Sequence, residues 1–272
     1  MISSIDFAEL YRRHLLHSQR TPRPASVWDA RAKELSRKAQ HSSYAQDFIA
    51  HMDLDGVSTL LDVGCGPGTI CLPLAHRLQH VYGLDYSAGM LDCLVESAAD
   101  QKLTNVTALH LSWDSDWSGV PVCDIAVASR SSMVNDLALA IEKLNKHARK
   151  RVYMTHIVGG HFIDAQIASL LGRVHAAVPD YIYVVNILYA MGIHPTLSYI
   201  ETPSRLAGAK DFTGFAEKVA GSVGELTPPE LATLHAWYND NPERAQSGVA
   251  PMQWALLSWK PKITVIPARR SA

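Results

Sequence analysis

At 272 residues, with hydrophobic side chains making up 47%, the chain can bury a sizeable core, and no Gly/Ser-rich or low-complexity linker divides it into separate domains. Its 25 basic and 26 acidic residues nearly cancel to a net charge of −1, which leaves no electrostatic footprint for nucleic acid or an anionic membrane. No signal peptide or long apolar run is present, and the four cysteines (Cys65, Cys71, Cys93 and Cys123) form no Cys-x-x-Cys pair, so the expectation is a cytoplasmic protein with buried thiols and no membrane span.

Residues 1–56 carry helical spacing. Phe7, Leu10, Tyr11 and Leu15 mark one helix, which Thr21-Pro22-Arg23-Pro24 breaks. Ser26 can cap a second helix over about Val27 to Ala39, and Tyr44, Phe48 and Ile49 mark a third that ends before Gly56. The stretch Leu60 to Thr69, LLDVGCGPGT, is different in kind. Thr59-Leu60-Leu61 with Val63 reads as a buried strand, and Gly64, Gly66 and Gly68 read as the tight turn leaving its carboxyl end. The third glycine comes one position too early for the dinucleotide pattern Gly-x-Gly-x-x-Gly, and no lysine follows as in a phosphate-cradling loop. A helix from Thr69 to about Leu78 is expected next, with Pro73 near its first turn.

Strand and helix patterns then alternate, which argues for a parallel sheet with helices on both faces. His80 to Asp85 reads as a second strand ending in an acid, 17 residues after Gly68. Ser87 can cap a helix bearing Met90, Leu91 and Leu94. A third strand over Asn105 to Leu111 leads into Ser112-Trp113-Asp114-Ser115-Asp116-Trp117. The fourth, Val122 to Ala128, delivers Ser129 and Arg130. A helix from Asn135 or Asp136 to Arg149 has a basic end that suits its dipole. Val152 to Val158 is the fifth strand, Ile193 to Glu201 the sixth and Met252 to Trp259 the seventh. Helices are expected from Ile163 to Val174, over Tyr181 to Met191, and across 204–220 and 228–240, the last opened by Thr227-Pro228-Pro229-Glu230. Residues 261–272 read as a loose tail in which Ile263 to Ile266 could add an edge strand.

His156 and His161 lie near the carboxyl end of the fifth strand. Either could accept a proton from a hydroxyl or amine, and either could instead hydrogen-bond the adjoining loop. Their spacing matches no zinc motif, so no metal is expected.

LLDVGCGPGT resembles motif I of the class I S-adenosylmethionine-dependent methyltransferases, Asp/Glu-x-Gly-x-Gly-x-Gly, and the resemblance covers about residues 57–160. It implies a Rossmann-like α/β fold: a seven-stranded, mostly parallel sheet with helices on both faces and an antiparallel last strand. It implies a division into an N-terminal helical lid (1–56), a methyltransferase domain (57–260) with helical insertions at 161–192 and 203–245 forming a cap, and a tail. S-adenosyl-L-methionine is the implied cofactor. Asp62, Gly64, Cys65, Gly66 and Gly68 would lie along its methionine part, and Asp85 would bind the ribose hydroxyls. Tyr86 and Met90 would flank the adenosine, although Met90 also has core spacing. Asp114, with Trp113 beside it, would reach the adenine, Asp116 being the alternative. Ser129 and Arg130 would border the cofactor, Arg130 alternatively pairing with an acidic substrate group or a surface acid. Trp28, Arg31 and Tyr44 from the lid and Tyr183, Asn186 and Tyr189 from the later aromatic helix are the candidate substrate residues, each with plain packing as the other reading. The Asn/Asp-Pro-Pro-Tyr sequence of amino-methylating enzymes is missing after the fourth strand. The implied reaction is methyl transfer to a small organic acceptor, in the manner of the group that includes quinone-biosynthesis enzymes. The alternatives are a non-catalytic cofactor-binding partner or sensor, and an enzyme acting on tRNA or protein. A homodimer is compatible with this reading.

Overall fold

The computed structural model describes residues 2–18, 22–173 and 177–262. After a 3₁₀ turn at Ile2–Ser4 come α1 (Phe7–His17), α2 (Ala25–Asp29), α3 (Ala32–Ala39) and α4 (Ser43–Ala50). The central part alternates as β1 (Thr59–Val63), α5 (Cys71–Ala75), β2 (His80–Asp85), α6 (Ala88–Asp100), β3 (Val106–His110), β4 (Cys123–Ala128), α7 (Leu137–His147) and β5 (Ala148–Ile157). Then follow α8 (Ala165–Leu170), α9 (Tyr181–Ala190), β6 (Thr196–Thr202), α10 (Phe212–Val223), α11 (Pro228–Asp240), α12 (Pro242–Ser247) and β7 (Met252–Trp259).

The seven strands form one sheet in the order β3-β2-β1-β4-β5-β7-β6. All pairings are parallel except those of β7, which runs antiparallel to both neighbours. The chain reverses its direction of travel across the sheet between β1 and β4, the switch point at which open α/β sheets bind ligands. Alternation along the strands sorts the core into two layers. Leu61 and Val63 of β1 face a cluster with Tyr11, Ile141 and Val184, from α1, α7 and α9. Leu60 faces the other cluster, with Tyr44, Phe48, Leu74 and Leu94, from α4, α5 and α6.

Several boundaries differ from the sequence reading. Helix α5 is a single short piece, because Gly66-Pro67-Gly68 spends the preceding residues on turns. The helix expected over 27–39 is two, α2 and α3, broken at Ala30 and Arg31. Helix α10 starts only at Phe212, where the Asp211 side chain caps the Gly214 N–H. Helix α12 has no counterpart in the sequence reading. The capping box of α11 is present, Thr227 and Glu230 exchanging hydrogen bonds. The strand expected over 263–266 lies outside the described residues.

The N-terminal stretch is not one layer. Helices α1 and α4 are integral to the two core clusters, whereas α2 and α3 rest on α6 in a small satellite of Trp28, Ala32, Leu35, Met90 and Cys93. The later insertions also divide. Helix α9 joins the main core, while α8, α10, α11 and α12 close a separate cluster around Ile167, Phe215, Val219 and Leu234. Leu61 is fully buried in the central strand, so Leu61→Ala is expected to destabilise the chain by about 2–5 kcal/mol in urea unfolding, whereas a loss below about 1 kcal/mol would show a poorly packed sheet centre.

Candidate active site

The glycine turn after β1 is held by β2. The amides of Gly64 and Cys65 both donate to the Leu84 carbonyl, and the Gly66 N–H donates to Asp85 Oδ2 at 2.8 Å. Gly64, Gly66 and Gly68 all have positive φ, at 67°, 55° and 91°. Their surroundings differ. A Cβ at Gly64 would sit 2.3 Å from the Cβ of Ser131, so this glycine admits the β4 loop. At Gly66 the nearest atom would be Met90 Sδ at 3.9 Å, so this glycine opens onto free space with Met90 as its floor. Ser131 ties the turn to its neighbours: its Oγ donates to the Val63 carbonyl at 2.6 Å, and its own carbonyl accepts from Trp113 Nε1 at 3.0 Å.

Two acids stand at this turn. Asp85 is 7% exposed, and its Oδ1 accepts from the Ser87 N–H at 2.9 Å while Oδ2 takes Gly66. Burial raises its pKa, and the backbone N–H groups of Ser87, Gly66 and Tyr86 pull it back down. Asp62 is 1% exposed, and neither of its carboxylate oxygens has a hydrogen-bond partner. Burial pushes its pKa up to about 7, opposed by the nearby Cys71 thiol and amide, which fall short of bonding geometry, and reinforced by the charge of Asp85. A buried, unpartnered carboxylate beside an open glycine cradle fits a ligand that brings a positive charge or N–H donors. Burial also pushes the Cys65 thiol well above its ordinary range, which suits packing and not reactivity.

The remaining candidates for cofactor contact surround this turn. Tyr86 is 39% exposed and its hydroxyl donates to the Arg23 carbonyl at 2.9 Å. Trp113 stacks one face on Trp117, ring centres 5.4 Å apart. Asp114 is exposed, while the carboxylate of Asp116 is spent on the N–H and hydroxyl of Ser118, which leaves Asp114 as the available acid after β3. Ser129 Oγ lies 2.9 Å from the Tyr44 hydroxyl, which also lies 2.8 Å from Thr155 Oγ1. Tyr44 thus stands over the carboxyl ends of β4 and β5, and the Arg130 guanidinium lies over its ring at 4.1 Å. Burial raises the Tyr44 pKa against the lowering effect of that guanidinium, so the phenol stays neutral.

The two histidines separate. His156 is buried with Nδ1 2.7 Å from Ser132 Oγ and Nε2 3.2 Å from the Pro179 carbonyl, so both nitrogens hold the loops beside β5. His161 is exposed and lines a cavity of about 190 Å³ with Phe162, Asp164, Ser204, Met252 and Gln253 at the carboxyl end of β5. Among the described residues no group of three metal-ligating side chains is placed to hold an ion.

The candidates on α9 have other partners. The Tyr183 hydroxyl pairs with His14 Nδ1 at 3.0 Å, and its ring meets Tyr11 edge to face. Asn186 donates to the Ile182 carbonyl of its own helix, and Tyr189 packs against His194. Helix α9 is apolar enough to be drawn into the core layer opposite Tyr44, which takes these residues away from the Tyr44 side of the sheet. Trp28 and Arg31 lie together, with the Arg23 and Arg31 guanidinium groups 5.7 and 5.8 Å from the indole centre. One contact escaped the sequence reading. Asp29 Oδ1 accepts from Ser87 Oγ at 2.5 Å and from the Gly89 N–H at 2.9 Å, fastening α2 to the start of α6 next to Asp85. These two hydrogen bonds, Ser87 first, hold the Asp29 pKa below its ordinary value. Only the pairing of a free acid with a capping serine hints at it in sequence.

A methyltransferase domain family matches residues 60–153. A Haemophilus influenzae protein, described as uncharacterized, is 38% identical over 265 residues, which cover 95% of this chain and 97% of that protein. A demethylmenaquinone methyltransferase of Shouchella clausii is 36% identical over 74 residues, 26% of this chain and 32% of that enzyme. Among solved structures, one described as a methyltransferase candidate from Bacillus halodurans has a TM-score of 0.56 at 11% identity, covering 81% of this chain and 99% of that one, and shares the fold. No helix among the described residues is long and apolar enough to cross a membrane.

Asp62 has a testable consequence for stability. It holds its proton up to about pH 7 in the folded chain, against an ordinary value of 3.8. The stabilisation from that proton is complete below pH 3.8 and is lost as pH rises through about 7. Urea unfolding of wild type and Asp62→Asn is therefore expected to diverge in the variant's favour between about pH 4 and pH 7, by up to about 4 kcal/mol, and to run parallel above that. Profiles parallel throughout would show that Asp62 is not desolvated.

Proposed function

We propose that the chain is a class I S-adenosylmethionine-dependent methyltransferase and that it transfers the methyl group of that cofactor to a small organic acceptor. The observation that carries the reading is the unpartnered, buried Asp62 beside the open face of Gly66, with Asp85 hydrogen-bonded to the same loop. When bound, the cofactor supplies an electrophilic methyl group on a sulfonium, so the protein's task is alignment and exclusion of water.

In this reading Asp62 and the Gly64–Gly68 turn hold the methionine part. Asp85 accepts from the ribose hydroxyls through the lone pairs that Gly66 and Ser87 leave available. Met90 supports the loop from below, Tyr86 and Trp113 border the adenosine, and Asp114 accepts from the adenine amino group. Ser131 keeps the β4 loop against Gly64, so Ser129 and Arg130 sit at the acceptor end. Tyr44 closes that end over β4 and β5, which favours a small molecule over a polymer. The near-zero net charge points the same way. His161, facing the cavity, is the better placed proton acceptor of the two histidines, and His156 acts as a loop anchor. Helices α2 and α3 form the movable part of the N-terminal lid, latched by Asp29, and the cluster of α8 and α10–α12 forms the outer cap.

Calorimetry with S-adenosylhomocysteine is expected to give saturable binding, and Asp85→Ala to weaken it at least about tenfold. A folded sample that binds none would overturn the assignment of this site. Asp29→Ala is expected to speed release of S-adenosylhomocysteine several-fold in stopped-flow tryptophan fluorescence, with Trp28 as reporter. An unchanged release rate would mean that α2 and α3 do not gate the cofactor.

A further inference from the structure

Strand β4 ends at Ala128, and two residues later Arg130 adopts a left-handed backbone conformation with φ at 56°. A side chain other than glycine stays there only where its surroundings hold it. Here the Arg130 N–H donates to Thr155 Oγ1 at 2.9 Å, and the same oxygen lies 2.8 Å from the Tyr44 hydroxyl. The result is a guanidinium laid on the Tyr44 ring, its carbon 4.1 Å from the ring centre.

That guanidinium has a supported face and free edges. Among the described residues no carboxylate lies within 4 Å of it, and none of its N–H groups donates to a protein acceptor. Arg12, Arg151 and Arg173, by contrast, each have an acid within that reach, at 2.8, 3.8 and 2.5 Å. A planar guanidinium whose face is already stacked presents its edge as a fork, and the fork matches a carboxylate.

Resting on the methyl-transfer reading of the site, we propose that Arg130, backed by Tyr44, binds a carboxylate carried by the methyl acceptor. Two molecules bring a carboxylate to this site, the acceptor and the methionine end of the cofactor, and the placement favours the acceptor. The next residue, Ser131, packs on Gly64 of the turn after β1, whereas the groups that position Arg130 itself are Thr155 of β5 and Tyr44 of α4. From Tyr44 a row of rings leads further from β1. Trp254 lies 6.4 Å from Tyr44, Phe162 lies 6.4 Å from Trp254, and Phe162 lines the cavity that His161 faces. Tyr44 and Trp254 are core side chains, and Phe162 ends the row at the cavity wall, so the body of an acceptor whose acid group meets Arg130 is directed toward that cavity. Charge supports the same assignment, because an anionic acceptor is attracted by both the guanidinium and the cofactor's sulfonium.

The test uses the full chain with S-adenosylhomocysteine at saturation, and benzoate, phenylacetate and hexanoate as probes beside their uncharged amides. Differential scanning fluorimetry and calorimetry are expected to show carboxylates binding in preference to amides. Arg130→Gln should weaken the carboxylates about tenfold or more and bring them level with the amides, and Arg130→Lys should restore part of the preference. Wild type showing no preference for any of the three carboxylates, or Arg130→Gln retaining the preference, overturns the proposal. A second arm compares S-adenosylhomocysteine with 5′-methylthioadenosine, which lacks the carboxylate. If Arg130→Gln weakens the first about tenfold and leaves the second unchanged, Arg130 serves the cofactor, and the proposal fails. Failure of wild type to bind S-adenosylhomocysteine would instead strike the underlying cofactor assignment. The carboxylate series, repeated without it, then decides the role of Arg130 separately.

Discussion

A carboxylate sealed in a dry sheet without a hydrogen bond is costly, and this fold keeps one at its centre. Asp62 is the penultimate residue of β1, in register with Gly83 of β2 and Val127 of β4, just before the chain leaves the sheet through glycines. The neighbouring arrangement follows from that position. The Leu84 carbonyl gathers the first two amides of the turn, Asp85 takes the third, and Ser131 crosses from the β4 loop to the Val63 carbonyl. Among the described residues the two Asp62 oxygens are the buried side-chain polar atoms without a partner, so the unmet demand is concentrated on one side chain. Strain of this kind persists where a ligand relieves it.

The sheet was legible in the sequence because parallel strands buried on both faces are written as short apolar runs, as in Thr59-Leu60-Leu61 and Val122 to Ala128. The acid closing β2 and the glycine turn were legible for the same reason, since local chemistry dictates both. Other features depend on partners distant in sequence. The continuous pattern over 27–39 hides a break whose cause is tertiary, the reach of Asp29 to Ser87 and Gly89. The aromatic character of α9 did not reveal that Val184, Ile187 and Leu188 pack in the core layer with α1 and α7 while Ile182 and Tyr189 stay exposed. His156 and His161 look alike from their spacing, and only the positions of Ser132 and Pro179 distinguish an anchored ring from an exposed one.

The two ends of the site are built differently. The β1–β2 end is made of backbone amides and short side chains on adjacent parallel strands, which fixes it within narrow limits. The β4–β5 end is made of long side chains from separate elements: Tyr44 from α4, Arg130 from the β4 loop, and Trp254 from β7. Its geometry relies on a few hydroxyl contacts, chiefly those of Thr155 and Ser129 with Tyr44. Recognition of an invariant ligand suits the first construction, and recognition of a varying one suits the second.

The cluster formed by α8 and α10–α12 has an apolar interior of its own, with Phe215 stacked on Trp237 and Leu234 fully buried. Its buried side chains are separate from those that pack around β1 and β2. Side chains within it can therefore be exchanged without altering those that pack around the glycine turn.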